Sequence, residues 1–482
     1  MSSAAGTVET ALGKVTSPPS RESTSDEFYF WVREGVIVEK SQIVWTECQV
    51  GGTPIRFFAV VREVYRQSRV RDVAEERDRY DGDVGYQPSY VAPGFTYASA
   101  SILRTLPLCY SPPMEGAGVY LAGEADVRLA YSADEIENPL AVGLVRNGGS
   151  QLAGPGVIDL DYLLGANGGH ANVNGVAGRG TKSSFLLHLN MLLMREAERQ
   201  KHERQSDRDR LRVVPIILNV KNFDLFFIDH LSTRWKPEKH LAEWQALGIP
   251  DPQPFKNVKF YARQDVRTQN PVDVGRTKSD VVPFSYSLAD VIQGGSFQDL
   301  FADDDLSDHN FGALVYGLES HLTFERIVDG AEVERSLSKH APQTFAELVD
   351  QIGAWADGGT PLLPGSHFVV HTIRKFHRRL SRLVLEGAGV LRREDQHGKP
   401  LRLTSLDTAP PAVVDLSALA ATPTLQRFIV ATIFRQLVES RTGAKSQRGL
   451  VYLVTLDELN RFAPRGSKDP VTQLIERVAA EM

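Results

Sequence analysis

The amino-acid sequence predicts a small all-β domain followed by an α/β domain with a parallel sheet. Short β-branched and aromatic runs recur between residues 27 and 129, whereas strand-like and helix-like segments alternate after about residue 160. A glycine-rich segment also stands directly before a long predicted helix. At 482 residues, 42% of them hydrophobic, the chain is long enough to form two or three globular domains.

Composition argues against several classes of protein. The formal net charge of -6 gives no overall basic bias, so any contact with nucleic acid would have to be local. The two cysteines, Cys48 and Cys109, lie in no CxxC motif, which argues against a disulfide framework or a structural zinc site. No run approaches 18 consecutive apolar residues. We therefore expect a cytoplasmic protein with no membrane partner.

The first predicted domain is a β-barrel at residues 27–135. Residues 1–26, rich in Ser, Thr, Ala, Gly and Pro, predict a disordered tail before it. Gly51-Gly52-Thr53 between two short β-type segments is typical of a hairpin. The runs that predict strands are 28–31, 35–38, 43–45 and 55–64. The barrel is either a structural unit or a binding module.

The second predicted domain is an α/β core at residues 161–482, which follows a linker at 136–160 marked by Gly and Pro. Strands that alternate with helices of this length indicate a parallel sheet covered on both faces. The predicted strands are 170–174, 213–220, 412–416 and 450–456, and the predicted helices are 182–210, 424–441 and 471–482.

A mainly helical insertion is predicted at about 283–385 within this core. Its clearest helix has an apolar stripe and many basic residues on its other faces. The basic faces predict either contact with phosphates or a solvated amphipathic helix. The apolar stripe consists of Ile373, Phe376, Leu380 and Leu383, and the basic residues are Arg374, Lys375, Arg378, Arg379 and Arg382.

The glycine-rich segment has the composition of a phosphate-binding loop. Glycines let backbone N–H groups face inward, a lysine reaches the β- and γ-phosphates, and a serine hydroxyl ligates Mg²⁺. Gly175 and Gly180 have the expected spacing, but Thr181 intervenes before Lys182. The alternative is a glycine-rich turn with an exposed lysine. The candidate nucleotide-binding residues are Gly175, Gly178, Gly180, Thr181, Lys182, Ser183 and Ser184.

A carboxylate pair follows the apolar run 450–456, which predicts a buried parallel strand. Ligands of open α/β sheets bind at the carboxyl ends of strands. Asp457 would hold Mg²⁺ together with Ser183, and Glu458 would be the catalytic residue that polarises the attacking water. Taken alone, the pair is equally consistent with a solvated acidic turn. With the phosphate loop, it predicts a P-loop (RecA-like) parallel sheet that uses ATP and Mg²⁺.

Four segments together resemble the HerA-type ATPases of the HerA/FtsK translocase superfamily. They are residues 170–184, Asn219-Val-Lys221, Ala412-Val-Val-Asp-Leu-Ser417 and Leu456-Asp-Glu-Leu-Asn-Arg-Phe-Ala-Pro464. The resemblance implies an N-terminal β-barrel, a helical insertion and a homohexameric ring. It also implies ATP-driven translocation on double-stranded DNA with a nuclease partner of the NurA type or another effector protein. By motif, Lys182 and Ser183 match the phosphate and magnesium residues.

The sequence departs from the family at three points. Thr181 is inserted in the loop, and Asn219 stands where many relatives carry an aspartate. The family continues beyond the Asp-Glu pair with a sensor strand and an interface arginine, so we expect a core that is incomplete at its C-terminal end. The alternative function is an ATP-binding ring scaffold that assembles or gates a defence effector with little translocation.

Overall fold

The computed structural model describes residues 10–18, 21–69, 72–88, 94–149, 152–164, 171–175, 181–203, 211–221, 223–328, 332–387, 389–403, 410–441, 449–466 and 469–481. The chain divides into two compact units. One comprises residues up to Asp161 together with Lys236–Pro252, and the other comprises Tyr162–Trp235 and Gln253 onward. None of the helices in the described ranges is both long and apolar enough to cross a membrane.

Within the described residues, six strands of the first unit form a closed antiparallel barrel in the order β1-β2-β5-β4-β3-β6. Side chains alternate between the barrel interior and its surface, as in β2, where Phe28 and Phe30 are fully buried and Trp31 is exposed. Closure leaves no strand edge open for pairing with another chain. The strands are β1 (Gly13–Thr16), β2 (Glu27–Val32), β3 (Ile43–Val50), β4 (Thr53–Gln67), β5 (Phe95–Leu106) and β6 (Gly118–Leu121).

Strand β1 lies inside the segment predicted to be a disordered tail, residues 1–26, so that prediction is wrong for residues 13–16. The four residues of β1 pair with β2 on one side, and Gly13 and Lys14 pair with β6 on the other. Such a short strand has no hydrophobic pattern of its own. It is stabilised by the two neighbours that it joins, and sequence patterns do not report such long-range pairing.

The rest of the first unit includes two short helices and a hairpin, α1 (Val73–Arg79), α2 (Glu124–Ala130), β7 (Pro139–Arg146) and β8 (Leu152–Asp159). The hairpin occupies the segment that was predicted to be a linker, residues 136–160. That prediction is therefore wrong for the residues of β7 and β8. The Gly and Pro residues of this segment favour a loop in the sequence pattern. In the structure, Gly143 and Pro155 are paired within the hairpin, next to two irregularities in its register.

The second unit contains most of the helices. In chain order, the elements from here are α3 (Leu160–Leu163), α4 (Thr181–Glu203), β9 (Arg212–Asn219), α5 (Pro237–Ala246, which belongs to the first unit), β10 (Lys259–Arg263), β11 (Val281–Phe284), α6 (Leu288–Gln293), α7 (Asp303–Leu306), α8 (His309–Leu322), β12 (Thr323–Val328), β13 (Glu332–Leu337), α9 (Phe345–Ala356), α10 (Val370–Glu386), β14 (Ala412–Asp415), α11 (Pro423–Arg441), β15 (Leu450–Leu456) and α12 (Pro470–Glu481).

Five parallel strands form the sheet of the second unit in its described part, in the order β11-β10-β14-β9-β15. Ile216, Ile217 and Leu218 of β9 are all fully buried, as expected for a strand covered on both faces. The predictions of β9, β14 and β15 are confirmed, whereas β10 and β11 were not predicted. The α/β class and the barrel are thus both present.

The strand predicted at 170–174 is not found in the described part of that segment. Residues 171–175 have no regular secondary structure, and residue 170 lies outside the described ranges. The segment is rich in Asn and Gly, which have low β-propensity, and Val173 is its one large apolar residue.

The predicted insertion, 283–385, is largely helical and also contains the antiparallel β12–β13 hairpin. The apolar stripe of α10 is buried, as predicted. On the basic faces, Lys375 contacts Asp305 at 3.4 Å and Asp308 at 3.1 Å, and Arg379 contacts Asp305 at 3.0 Å. These ion pairs with α7 and the turn after it favour a structural role for part of the basic surface over contact with phosphates.

Candidate functional site

A buried side-chain amide joins helix α4 to strand β15, the two elements that carry the candidate site. The Asn190 Nδ2 atom donates to the Leu186 carbonyl at 2.7 Å and to the Thr455 hydroxyl at 2.9 Å. Asn190 is 2% exposed and Thr455 is 8% exposed. The N-terminal turns of α4 are therefore held beside the last residues of β15.

The start of α4 meets the carboxylate pair at Ser183. The Ser183 hydroxyl lies 3.4 Å from Asp457 Oδ2, although the two residues are 274 positions apart in the chain. The other carboxylate oxygen of Asp457 accepts the backbone N–H of Glu458 at 3.0 Å. A hydroxyl and a carboxylate side by side are two of the oxygen ligands that Mg²⁺ uses when phosphates supply others. Sequence motifs distant in the chain are thus adjacent.

The two ends of the predicted phosphate loop also lie close together. A Cβ atom on Gly175 would stand 3.1 Å from Lys182 Cγ and 3.7 Å from the Thr181 hydroxyl. Any side chain at this position would require Lys182 to shift by a few tenths of an ångström. Lys182 and Ser183 are half-buried, whereas Thr181 and Ser184 are exposed. Gly178 and Gly180, also predicted to bind nucleotide, lie outside the described residues.

Glu458, the predicted catalytic residue, forms an ion pair with Lys221, which lies just beyond the end of β9. The hydrogen bond from Lys221 lowers the pKa of the Glu458 carboxyl, burial opposes this effect, and the charges of Lys221, Arg461 and Lys182 lower the pKa further. The Glu458 side chain is 33% exposed and that of Lys221 is 50% exposed, so water screens the pair. Glu458 is therefore held ionised beside Lys221.

The backbone of Glu458 is in the left-handed conformation, with φ 59° and ψ 51°. For a residue other than glycine this conformation is unfavourable by about 1–2 kcal/mol, and such residues cluster at functional sites. Here it turns the chain sharply directly after Asp457. The neighbouring residues 459–461 form a short 3₁₀ turn.

Asn219, where the sequence departs from the HerA-type pattern that it resembles, has a partner on the adjacent strand. Its Nδ2 atom donates to Asp415 Oδ1 at 3.1 Å, and both residues are 1% exposed. An aspartate at position 219 would bring a second carboxylate against Asp415 in this buried place, where like charges repel. The amide therefore fits the charge of Asp415.

The side chains at this site can hold Mg²⁺ only together with a nucleotide phosphate. The described residues contain no group of three or more His, Cys, Asp or Glu side chains that could hold a metal by itself. The hydroxyl of Ser183, the carboxylate of Asp457 and the ammonium group of Lys182 do fit a metal that takes its remaining ligands from phosphate oxygens and water.

Three residues of this region were missed as site residues by sequence reasoning. Lys221 stands beyond the carboxyl end of a predicted parallel strand, a position that could have identified it. Asn190 and Thr455 give no such signal, because an Asn in a helix and a Thr in a strand are usually unremarkable. Their partnership depends on the packing of α4 against β15.

No protein-family model matches the chain, and no curated protein matches it at a significant level.

Proposed function

We propose that this chain is an ATPase of the HerA type that binds ATP and Mg²⁺ between the start of α4 and the end of β15. The observation that carries the proposal is the 3.4 Å approach of Ser183 to Asp457. A glycine-rich turn before a helix and an acidic pair after a strand are each common. Their meeting at one sheet edge is what a phosphate site requires.

Each residue has a distinct role in the proposed reaction. Lys182 binds phosphate oxygens, and Ser183 and Asp457 hold the metal. Mg²⁺, when bound, offsets the negative charge of the phosphates. Glu458 orients the attacking water and accepts its proton, for which its ionised state is the required one.

On the resemblance in sequence, the proposed activity extends to a homohexameric ring that moves double-stranded DNA and works with a nuclease or effector partner. A second candidate is an ATP-binding ring scaffold that assembles or gates an effector with little turnover. The ion pair between Glu458 and Lys221 favours it, because a carboxylate held by a lysine is less available to water.

Phosphate release from ATP, measured with and without duplex DNA, tests the proposal. We expect DNA-stimulated hydrolysis that falls by about 10²–10⁴-fold in Glu458→Gln, as for loss of a general base, while nucleotide binding persists. Lys182→Ala should lose both binding and hydrolysis. Lys339→Ala, which removes an exposed lysine elsewhere in the second unit, serves as the control and should change neither.

Nucleotide-dependent assembly without turnover would select the scaffold over the translocase. A wild-type chain that binds no nucleotide would refute both. Measurable hydrolysis that is equal in Lys182→Ala and wild type would refute the ATPase proposal.

A further inference from the structure

The barrel of the first unit presents a row of aromatic rings on its outer surface. Trp31 of β2 is directly opposite Tyr97 of β5, and Tyr97 is directly opposite Tyr65 of β4. On the other side of Trp31, its partner in β1 is Lys14. Four neighbouring strands thus contribute one residue each to a continuous row, which spans roughly 14 Å at about 4.8 Å per strand.

The row faces outward because its neighbours along each strand fill the barrel. Phe28, Phe30 and Ala98 are fully buried, whereas Trp31 is 41% exposed. Outward aromatic residues contribute little to a barrel core. A large exposed tryptophan on a sheet face is informative, since such residues are usually buried or mark a binding surface.

The rings are already arranged as a stacked platform. Tyr65 and Tyr97 have ring centroids 4.8 Å apart with an angle of 18° between their planes. Phe95, which is 39% exposed, extends this platform along β5, with its ring centroid 6.2 Å from that of Tyr97. Aromatic planes held in place by their neighbours can accept a further flat ring at low entropic cost.

Cations flank the platform at both ends. Lys14 is exposed beside Trp31, and the Arg21 guanidinium lies 4.9 Å from the centre of the Tyr65 ring. The nearest acidic residue along β4, Glu63, is already engaged by Lys40 at 3.2 Å. Rings between positive charges suit a ligand that alternates flat bases with phosphates.

We propose that the outer face of β1, β2, β5 and β4 binds single-stranded nucleic acid. Bases stack on Trp31 and Tyr97, the Tyr65 ring supports that of Tyr97, and backbone phosphates pair with Lys14 and Arg21. Aliphatic side chains are absent from this row of four residues, which favours base stacking over the docking of a protein helix. This surface is distinct from the proposed ATP site, and its function does not depend on hydrolysis.

Fluorescence anisotropy of the full chain with a fluorescein-labelled oligothymidylate, without nucleotide, tests the proposal. Loss of one stacked base corresponds to roughly 5- to 100-fold in affinity, which we expect for Trp31→Ala and for Tyr97→Ala. Trp31→Phe keeps a ring on the surface and should bind within about threefold of wild type. A duplex of the same length should bind more weakly, because its bases are not available for stacking.

Three controls separate stacking from other effects. Tyr110→Ala removes an aromatic side chain that is 82% exposed in the same unit but outside the row, and it should have no effect. Lys14→Ala should reduce the slope of log affinity against log salt by about 0.7. Lys182→Ala should bind the oligonucleotide like wild type, so failure of the ATP proposal and failure of this one are distinguishable.

The proposal is overturned if the wild-type chain does not bind the oligonucleotide, or if Trp31→Ala and Tyr97→Ala both bind like wild type. It is also overturned if Tyr110→Ala weakens binding as much as they do. Restoration of affinity by Trp31→Phe shows that a loss in Trp31→Ala comes from the missing ring rather than from misfolding.

Discussion

The hydrogen bond between Asn190 and Thr455 allows a quantitative test of how the candidate site is held together. In Asn190→Leu, the Thr455 hydroxyl stays buried without its 2.9 Å partner, which should lower the free energy of unfolding by about 1–3 kcal/mol. Thr455→Val leaves the amide with its bond to Leu186 and should lower this energy by about 1 kcal/mol.

The double variant should be more stable than the sum of the two single effects predicts. Replacing both partners with apolar groups of similar shape removes the unmet polar groups together and is often nearly neutral. Asn190 Oδ1 is buried without a hydrogen-bond partner among the described residues, and leucine removes that unfavourable burial in the single and the double variant alike. We expect a coupling energy of about 1–2 kcal/mol.

Urea unfolding, monitored through the hydrogen exchange of peptides from α4 and β15, measures the free energy of unfolding of the second unit. Asn147→Leu is the matched control, because Asn147 is equally buried but ties together the first unit through Ile43 and Ala122. It should leave exchange in α4 unchanged. Strictly additive effects of the two single substitutions would refute the proposed coupling between α4 and β15.

Four further predictions concern the candidate site and a buried ion pair of the second unit. Because Lys221 lowers the pKa of Glu458, Lys221→Met should move the acid limb of the pH profile for ATP hydrolysis to higher pH, whereas an unchanged limb would contradict this pairing. The same pair should stabilise the fold by under about 1 kcal/mol near neutral pH, a contribution lost as pH falls through the lowered pKa and measurable by urea unfolding. Gly175→Val should displace Lys182 and weaken nucleotide binding about tenfold in a titration. Equal affinity in the variant and the wild type would show that the close approach of Gly175 to Lys182 is not required for binding. Asp299 is fully buried and receives two 3.1 Å hydrogen bonds from Arg435, so Arg435→Met should cost about 3–5 kcal/mol in urea unfolding. A second substitution, Asp299→Leu, should recover most of this loss of stability. A further loss of stability would contradict the conclusion that the unpaired Asp299 carboxylate causes it.

Local patterns were sufficient wherever burial follows directly from sequence. The apolar stripe of α10 reports its own burial and was predicted correctly. The run 450–456 was predicted correctly as a strand but not as a buried one, because β15 lies at the edge of the described sheet and only Leu450 and Thr455 are buried. The hairpin between β3 and β4 was equally clear, because Gly51 and Gly52 supply the backbone conformations that its turn requires.

Sequence reasoning failed where pairing between distant segments decides the structure. Strand β1 and the β7–β8 hairpin are formed from residues that look like a tail and a linker, and they become strands because neighbouring strands complete their hydrogen bonds. Conversely, residues 171–175 stand where a strand was expected and have no regular structure.

For the candidate site, the sequence by itself determined the chemical groups: a lysine and a serine at the start of a helix, and an Asp-Glu pair at the end of an apolar strand. The tertiary structure alone decided that Ser183 lies beside Asp457 and that Lys221 holds Glu458. The physical reason is that side-chain type is a local property, whereas distance between elements is set by sheet order and by buried contacts such as that of Asn190 with Thr455.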